Sequence, residues 1–146
     1  MAELLVLGVA EGGDEDAEAV RAAAGAVVHL LPADIGDRDA VQALLAACNA
    51  IAPLRGIVHT AGLLDDGVLS EQTAARFATV MRPKVAGTWH LHTLTAGMAL
   101  DFFVCFSSIA GLRGALGQTS YAAANRFLAA LAQLRRAQGL PALTID

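Results

Sequence analysis

The sequence predicts an α/β fold, a parallel sheet covered on both faces by helices. Two observations carry that prediction. Short apolar runs alternate along the chain with stretches of helical period, which is how strands and crossover helices follow one another in a parallel sheet. The chain has 146 residues, 55% of them hydrophobic, which is the length and apolar content of one globular domain.

ELLVLGV (3 to 9) reads as a buried strand, followed by an acidic stretch and a short helix around residues 15 to 24 that Gly25 ends. AVVHLLP (26 to 32) is the next strand and ADIGD (33 to 37) turns the chain. DRDAVQALLAACNA (37 to 50) places Val41, Leu44, Leu45 and Cys48 at helical spacing, and Pro53 closes the unit. RGIVHTAG (55 to 62) is a strand that runs into a loop containing LLDDG. A long helical region starts at Ser70 and Glu71 and runs through Gly97, with Pro83 kinking or dividing it. DFFVCFSS (101 to 108) is the most β-like run, and GLRGALGQ (111 to 118) is a glycine-rich loop. The helix that begins at TSYAAAN continues to Gly139 with Leu128, Leu131 and Leu134 on its apolar face and Arg135 and Arg136 near its C-terminus. PALTID (141 to 146) is one more strand.

Composition excludes several classes of function. Ten basic against 14 acidic residues give a net charge of −4, which does not attract nucleic acid or an anionic membrane. No apolar run approaches the ~20 residues that cross a bilayer, and Glu3 stands where a signal peptide carries positive charge. A soluble cytoplasmic protein is expected. Cys48 and Cys105 are isolated in apolar surroundings and read as reduced core cysteines. No metal site is expected, since His90 and His92 are two apart on a helix and cannot face one ion together. His29 and His59 read as structural residues at strand ends, and Trp89 as packing.

Ligands of an open α/β sheet sit at the carboxyl ends of its strands. Polar residues collect there: Asp34 after the VVHLL strand, His59 and Thr60 after GIV, Ser107 and Ser108 after FFVCF. Tyr121 lies across the glycine-rich loop from Ser108, and Asn125, four residues further, shares its helix face. A serine hydroxyl and a phenol that converge on one oxygen suit a carbonyl. Reducing a ketone needs a proton on oxygen as hydride reaches carbon, yet a free tyrosine, with pKa ~10, is a poor partner at neutral pH. A helix N-terminus and a nearby cation correct this. Lys84 in RPKVAGTWHL is the sole lysine of the chain.

VHTAGLLDDG, RPKVAGTWHLH, FVCFSSIAGLRGALGQTSYAAANRFLAALAQLRR and LPALTID, in that order, resemble the ketoreductase domain of a modular polyketide synthase, a branch of the short-chain dehydrogenase/reductase superfamily. The resemblance runs from about residue 26 to the end. It implies a Rossmann-like doubly wound sheet, with residues 1 to 146 forming a partial ketoreductase domain. It implies that Tyr121 donates the proton, Ser108 orients the ketone, Lys84 lowers the tyrosine pKa, and Asn125 supports a relay water. A lysine four residues after the tyrosine marks ordinary short-chain dehydrogenases; here that place is Asn125, as in the polyketide branch. The implied hydride donor is NADPH, with Asp34 and Ile35 beside the adenine and Thr60, Ala61 and Gly62 near the nicotinamide half. Implied partners are an acyl carrier protein and the other synthase domains.

Leu64, Asp65 and Asp66 look like the LDD signature of the ketoreductase type that forms a D-configured alcohol. The other type carries tryptophan eight residues before the tyrosine, where this chain has Arg113, and Ala123 replaces the proline of the epimerising variant. The chain departs from the family in three places. The first strand with its glycine-rich phosphate turn is absent, and EGGD (11 to 14) is a poor substitute because Glu11 and Asp14 repel phosphate. Val9, Ala10 and Glu11 stand where the family places a basic residue for the 2′-phosphate. The C-terminal lid is absent too. Loss of the cradle removes charge-assisted bonds of roughly 1.5–3 kcal/mol each, so the chain alone is expected to show little reductase activity. Two other readings follow: a non-catalytic piece of a synthase, or a short-chain dehydrogenase acting on free small molecules.

Overall fold

The computed structural model describes the backbone of Glu3–Val6 and residues 27–146. Strands and helices alternate as predicted. β1 (Glu3–Val6) and β2 (Val27–Leu30) are followed by α1 (Arg38–Ile51), β3 (Gly56–His59), α2 (Ala74–Met81) and α3 (Thr88–Thr95). β4 (Phe102–Phe106), α4 (Ala110–Arg113), α5 (Thr119–Ala137) and β5 (Leu143–Ile145) complete the order. β1 pairs in parallel with β2, and β3, β4 and β5 form a second parallel group in that order. The helix expected at 15 to 24, Gly25, the EGGD turn and residues 7 to 9 lie outside the described residues.

Asp37 starts α1, its carboxylate accepting from the backbone N–H of Asp39 and Ala40 at 2.8 and 3.0 Å. The periodic residues Val41, Leu44, Leu45 and Cys48 are all buried, as their spacing requires. They meet the sheet through one contiguous core in which Val41 and Leu45 of α1, Leu91 of α3 and Leu128 of α5 join Ile57 of β3 and Phe103 and Cys105 of β4. Each such aliphatic side chain removed from water contributes on the order of 1.5–3 kcal/mol.

Three of these helices therefore share one face of the β3–β4–β5 group. Val58, Phe102, Phe106, Leu143 and Ile145 project from the other face and are exposed. The expectation of helices on both faces is thus met on one face among the described residues. The physical reason is that α1, α3 and α5 all pack against the Ile57, Phe103 and Cys105 side. Where two strands approach closely, Gly56 is required: a Cβ there would fall 2.1 Å from the Phe102 ring, which lies across its backbone.

The long helical region differs from its predicted start. A short 3₁₀ turn, Leu69–Glu71, precedes a break, and α2 begins only at Ala74, where the Thr73 hydroxyl accepts from the Arg76 N–H. Pro83 divides the region, as expected, into α2 and α3. It sits in a π-helical turn, Arg82–Gly87, whose wider ladder accommodates a residue without an N–H. The glycine-rich segment contains α4, and the chain then needs left-handed backbone at Gly114 and Gly117, with φ of 71° and 74°. On α5 the apolar face is Leu128, Leu131, Ala132 and, unexpectedly, the buried Arg135, while Leu134 is exposed. Trp89, expected as packing, is 44% exposed and tilts against the His92 ring at 5.2 Å between centroids.

Candidate active site

Lys84 is the centre of the site. The π turn carries it inward to 3% exposure, and its ammonium donates to the Phe106 carbonyl at the end of β4 at 2.9 Å. Nζ stands 5.5 Å from the centroid of the Tyr121 ring. The distance falls within the reach of a cation–π contact. Burial pushes the ammonium below the ordinary lysine value, while Cys105 works in the opposite direction. The fully buried Thr88 hydroxyl donates to the Lys84 carbonyl at 2.6 Å and ties down the widened turn. Gly62 supplies the passage for the lysine: a Cβ there would lie 2.8 Å from Lys84 Cε. Sequence reading placed Gly62 beside a cofactor and missed this spatial demand.

Tyr121 lies in the first turn of α5 and is half-buried. Asn125 is fully buried, and its amide N–H donates to the Tyr121 carbonyl at 2.9 Å. Its Oδ1 has no hydrogen-bond partner among the described residues. The Ser107 hydroxyl donates to the Asn125 carbonyl at 3.4 Å, holding the strand end against the tyrosine helix. α4 approaches just as closely, since a Cβ on Gly111 would meet the Asn125 Cβ at 3.1 Å. The Ser108 hydroxyl, at the same strand end, accepts from the Ala110 N–H at 3.2 Å. Lys84, Tyr121 and Asn125 thus stand together at the carboxyl end of β4.

A small cavity lies at the carboxyl ends of β2 and β3, lined by Leu31, Ala33, Ile35, His59, Thr60 and Ala61. Ile35 is a core residue whose side chain meets Gly87, where a Cβ would fall 2.8 Å from it. Asp34 does not cap α1. One of its oxygens accepts from Gly36 N–H at 2.8 Å and the other pairs with Arg82, which together hold the carboxyl below its ordinary range. His59 is 4% exposed, and burial, reinforced by the Lys84 charge, pulls it down to about 4. The apolar walls at Ala33, Ile35 and Ala61 fit the edge of a planar base. Among the described residues no cluster of His, Cys, Asp or Glu could hold a metal ion.

Leu64 is exposed, and the two aspartates beside it are pinned. Arg76 of α2 pairs with Asp65 and holds its carboxyl below the ordinary range. Asp66 accepts from the Gln118 side chain at 2.9 Å. Neither Arg76 nor Gln118 was singled out from the sequence.

Parallel strands, crossover helices and a polar cluster at the strand ends define a Rossmann-like α/β protein of the short-chain dehydrogenase/reductase class. The KR domain family matches residues 1–146, and the chain belongs to that family. Polyketide synthase GfsB of Streptomyces halstedii is 57% identical over 124 residues, which is 85% of this chain and 2% of that protein. The ketoreductase PlmKR1, from the first module of phoslactomycin biosynthesis in Streptomyces sp. HK803, matches with TM-score 0.88 and 41% identity over 97% of this chain and 34% of its own. An A-type ketoreductase from a modular polyketide synthase matches with TM-score 0.88 and 39% identity over 98% of this chain and 31% of its own. The chain therefore spans about a third of the solved ketoreductases and a small part of the curated synthases.

Proposed function

We propose that this chain carries the proton-transfer machinery of an NADPH-dependent ketoreductase that reduces the β-keto group of an acyl chain held on an acyl carrier protein. One observation carries the reading: the sole lysine is buried between the Phe106 carbonyl and the Tyr121 ring. A fixed cation beside a phenol stabilises the negative charge left on oxygen when the proton departs. Tyr121 is the proton donor to the ketone oxygen, and Ser108 orients that oxygen. Asn125, whose Oδ1 is an unused buried acceptor among the described residues, holds a water of the relay that reprotonates the phenol. NADPH supplies the hydride when bound, with Ile35 and Asp34 toward its adenine and Thr60, Ala61 and Gly62 toward its nicotinamide half.

The Leu64–Asp65–Asp66 strap and Arg113 support a D-configured alcohol. Likeness along the whole chain extends to a structure described as A-type, so this part of the reading rests on those local residues. The other synthase domains are the natural partners, since the curated relatives are large polyketide synthases. The cytoplasm, which holds NADPH and carrier-bound intermediates, is the proposed location. A free-substrate dehydrogenase is disfavoured because its lysine would occupy position 125.

The test is a chimera in which residues 1–146 replace the matching third of PlmKR1, supplied with NADPH and a β-ketothioester. Enhanced nicotinamide fluorescence, saturable turnover and its loss in Tyr121→Phe are expected; binding without turnover, or neither, favours the non-catalytic reading. In the same chimera Gly62→Ala is expected to reduce turnover roughly tenfold by displacing the ammonium. Its urea midpoint should stay near that of the parent, because the group that gives way is the end of a flexible side chain.

A further inference from the structure

We propose that Arg76 is the positioning residue that fixes the Leu64–Gly67 strap against the start of the tyrosine helix, and so sets which face of a bound ketone the site presents. This rests on the ketoreductase reading and extends it to two residues that reading leaves without a role. Arg76 Nε and Nη2 donate to one oxygen of Asp65, Nη2 also donates to the Asp66 carbonyl at 2.8 Å, and Nη1 donates to the Glu71 carbonyl at 3.2 Å. The rigid fork of one guanidinium thus holds Asp65 and Asp66 of the loop together with the Glu71 carbonyl of the following 3₁₀ turn. Gln72 closes the loop from the other side, its amide reaching the carbonyls of Asp65 and Gly67 at 3.2 and 3.4 Å. The backbone lies so near the guanidinium that a Cβ at Gly67 would fall 2.8 Å from Nη1.

The strap so formed is tied to the tyrosine helix in two places. Gly67 N–H donates to the Gly117 carbonyl at 2.9 Å, and the Gln118 amide donates to the Asp66 carboxylate at 2.9 Å. Gly117 takes a φ of 74°, and a Cβ there would touch the Gly67 backbone. Gln118 is three residues before Tyr121. The chain of contacts therefore runs from Arg76 through Asp65, Asp66 and Gly67 to the residues that launch the proton donor. Leu64, exposed on the strap, moves with it. The Arg76 and Asp65 side chains keep 28% and 31% of their surface, so water still screens the pair and its contribution to stability is modest; the fork's density of bonds points to position as its role.

The test has two arms. In the isolated chain, amide exchange at Gly67 is expected to speed up at least tenfold in Arg76→Ala, with the amides of Asn125 and Leu128 unchanged. In the chimera, Arg76→Ala is expected to erode the ratio of the two alcohol epimers at least tenfold while the pH profile of turnover stays where it was. Gln118→Ala, which frees only Asp66, should move the ratio in the same direction by less, and Arg76→Lys, which keeps the charge without the fork, should fall between. An unchanged epimer ratio at retained turnover overturns the proposal, as does unaltered Gly67 exchange. If the unsubstituted chimera turns over nothing, the ketoreductase reading falls and takes the steric consequence with it; the placement of the strap by Arg76 then stands or falls on the exchange arm.

Discussion

Replacing Arg135 by alanine is expected to destabilise the fold by about 3 kcal/mol, the sum of two orphaned acceptors, the buried His92 and the half-buried Pro141 carbonyl, and a lost cation–π contact. Arg135 is 1% exposed. Its Nε donates to the Pro141 carbonyl at 3.0 Å, its Nη1 meets His92 Nδ1 at 3.1 Å, and its guanidinium carbon lies 3.9 Å from the Phe103 ring centroid. One side chain thus joins α5 to α3, to β4 and to the segment leading into β5. No carboxylate pairs with it among the described residues, so its charge is held by a ring face, a carbonyl and a neutral imidazole. Truncation leaves the Pro141 carbonyl and His92 without their donor and opens a cavity. Urea denaturation should show the loss as a lower midpoint at similar slope, and thermal unfolding as a drop of roughly 10 °C. Arg135→Met, which restores volume but no donor, is expected to recover part of the loss. A cost below about 1 kcal/mol for alanine would mean that these contacts contribute little net.

That residue also shows where the sequence was readable and where it was not. Positions 128, 131, 132 and 135 follow the spacing of one helix face, so the signal for a buried residue at 135 was present. An arginine in the last turn of a helix is ordinarily a solvated cation complementing the dipole, and that expectation overrode the period. Only the tertiary setting, a ring and a carbonyl facing the same spot, reverses it. α1 was legible for the opposite reason: its four apolar residues agree with one another and need nothing from elsewhere in the chain, although its cap, Asp37, was read only as part of the ADIGD turn.

The approach of Lys84 to Tyr121 was legible from chemistry: a phenol proposed to protonate a ketone is helped by a nearby cation, and the chain holds one lysine, which stands 5.5 Å from the Tyr121 ring centroid. How they meet was not legible. The π turn at Arg82–Gly87 adds a residue to the helical ladder, and no periodicity announces it. The passage left by Gly62 depends on the lysine rotamer. The strap held by Arg76 and Gln118 consists of side-chain bonds to carboxylates and to backbone carbonyls, across 52 residues at its longest, and composition carries no trace of such bonds.

Mild acid is expected to weaken the fold through His59 more than through any other described group. Its value inside the protein is about 4, against an ordinary 6.5, because burial and the nearby Lys84 charge both oppose the imidazolium, with the Pro83 carbonyl pulling weakly the other way. The unfolded chain therefore binds the proton at a higher pH than the folded one. The sign follows: the stability tied to neutral His59 is fully present above pH 6.5 and is lost as pH falls from there towards 4. At 1.36 kcal/mol for each pH unit, a gap of this width is worth about 3 kcal/mol. His92, lowered by burial and by Arg135, acts in the same direction. Asp34 and Asp65 are held below the ordinary carboxylate value, so they remain ionised across this window and lose their contribution only at lower pH. Urea midpoints of the isolated chain should thus fall steadily between pH 7 and 4.5. His59→Asn, which keeps a polar group but cannot titrate, should show a much flatter profile over that interval even if it starts from a lower midpoint. Parallel profiles for the two proteins would mean that the proton enters elsewhere, and that His59 reaches solvent more readily than its packing between β3 and the lysine turn implies.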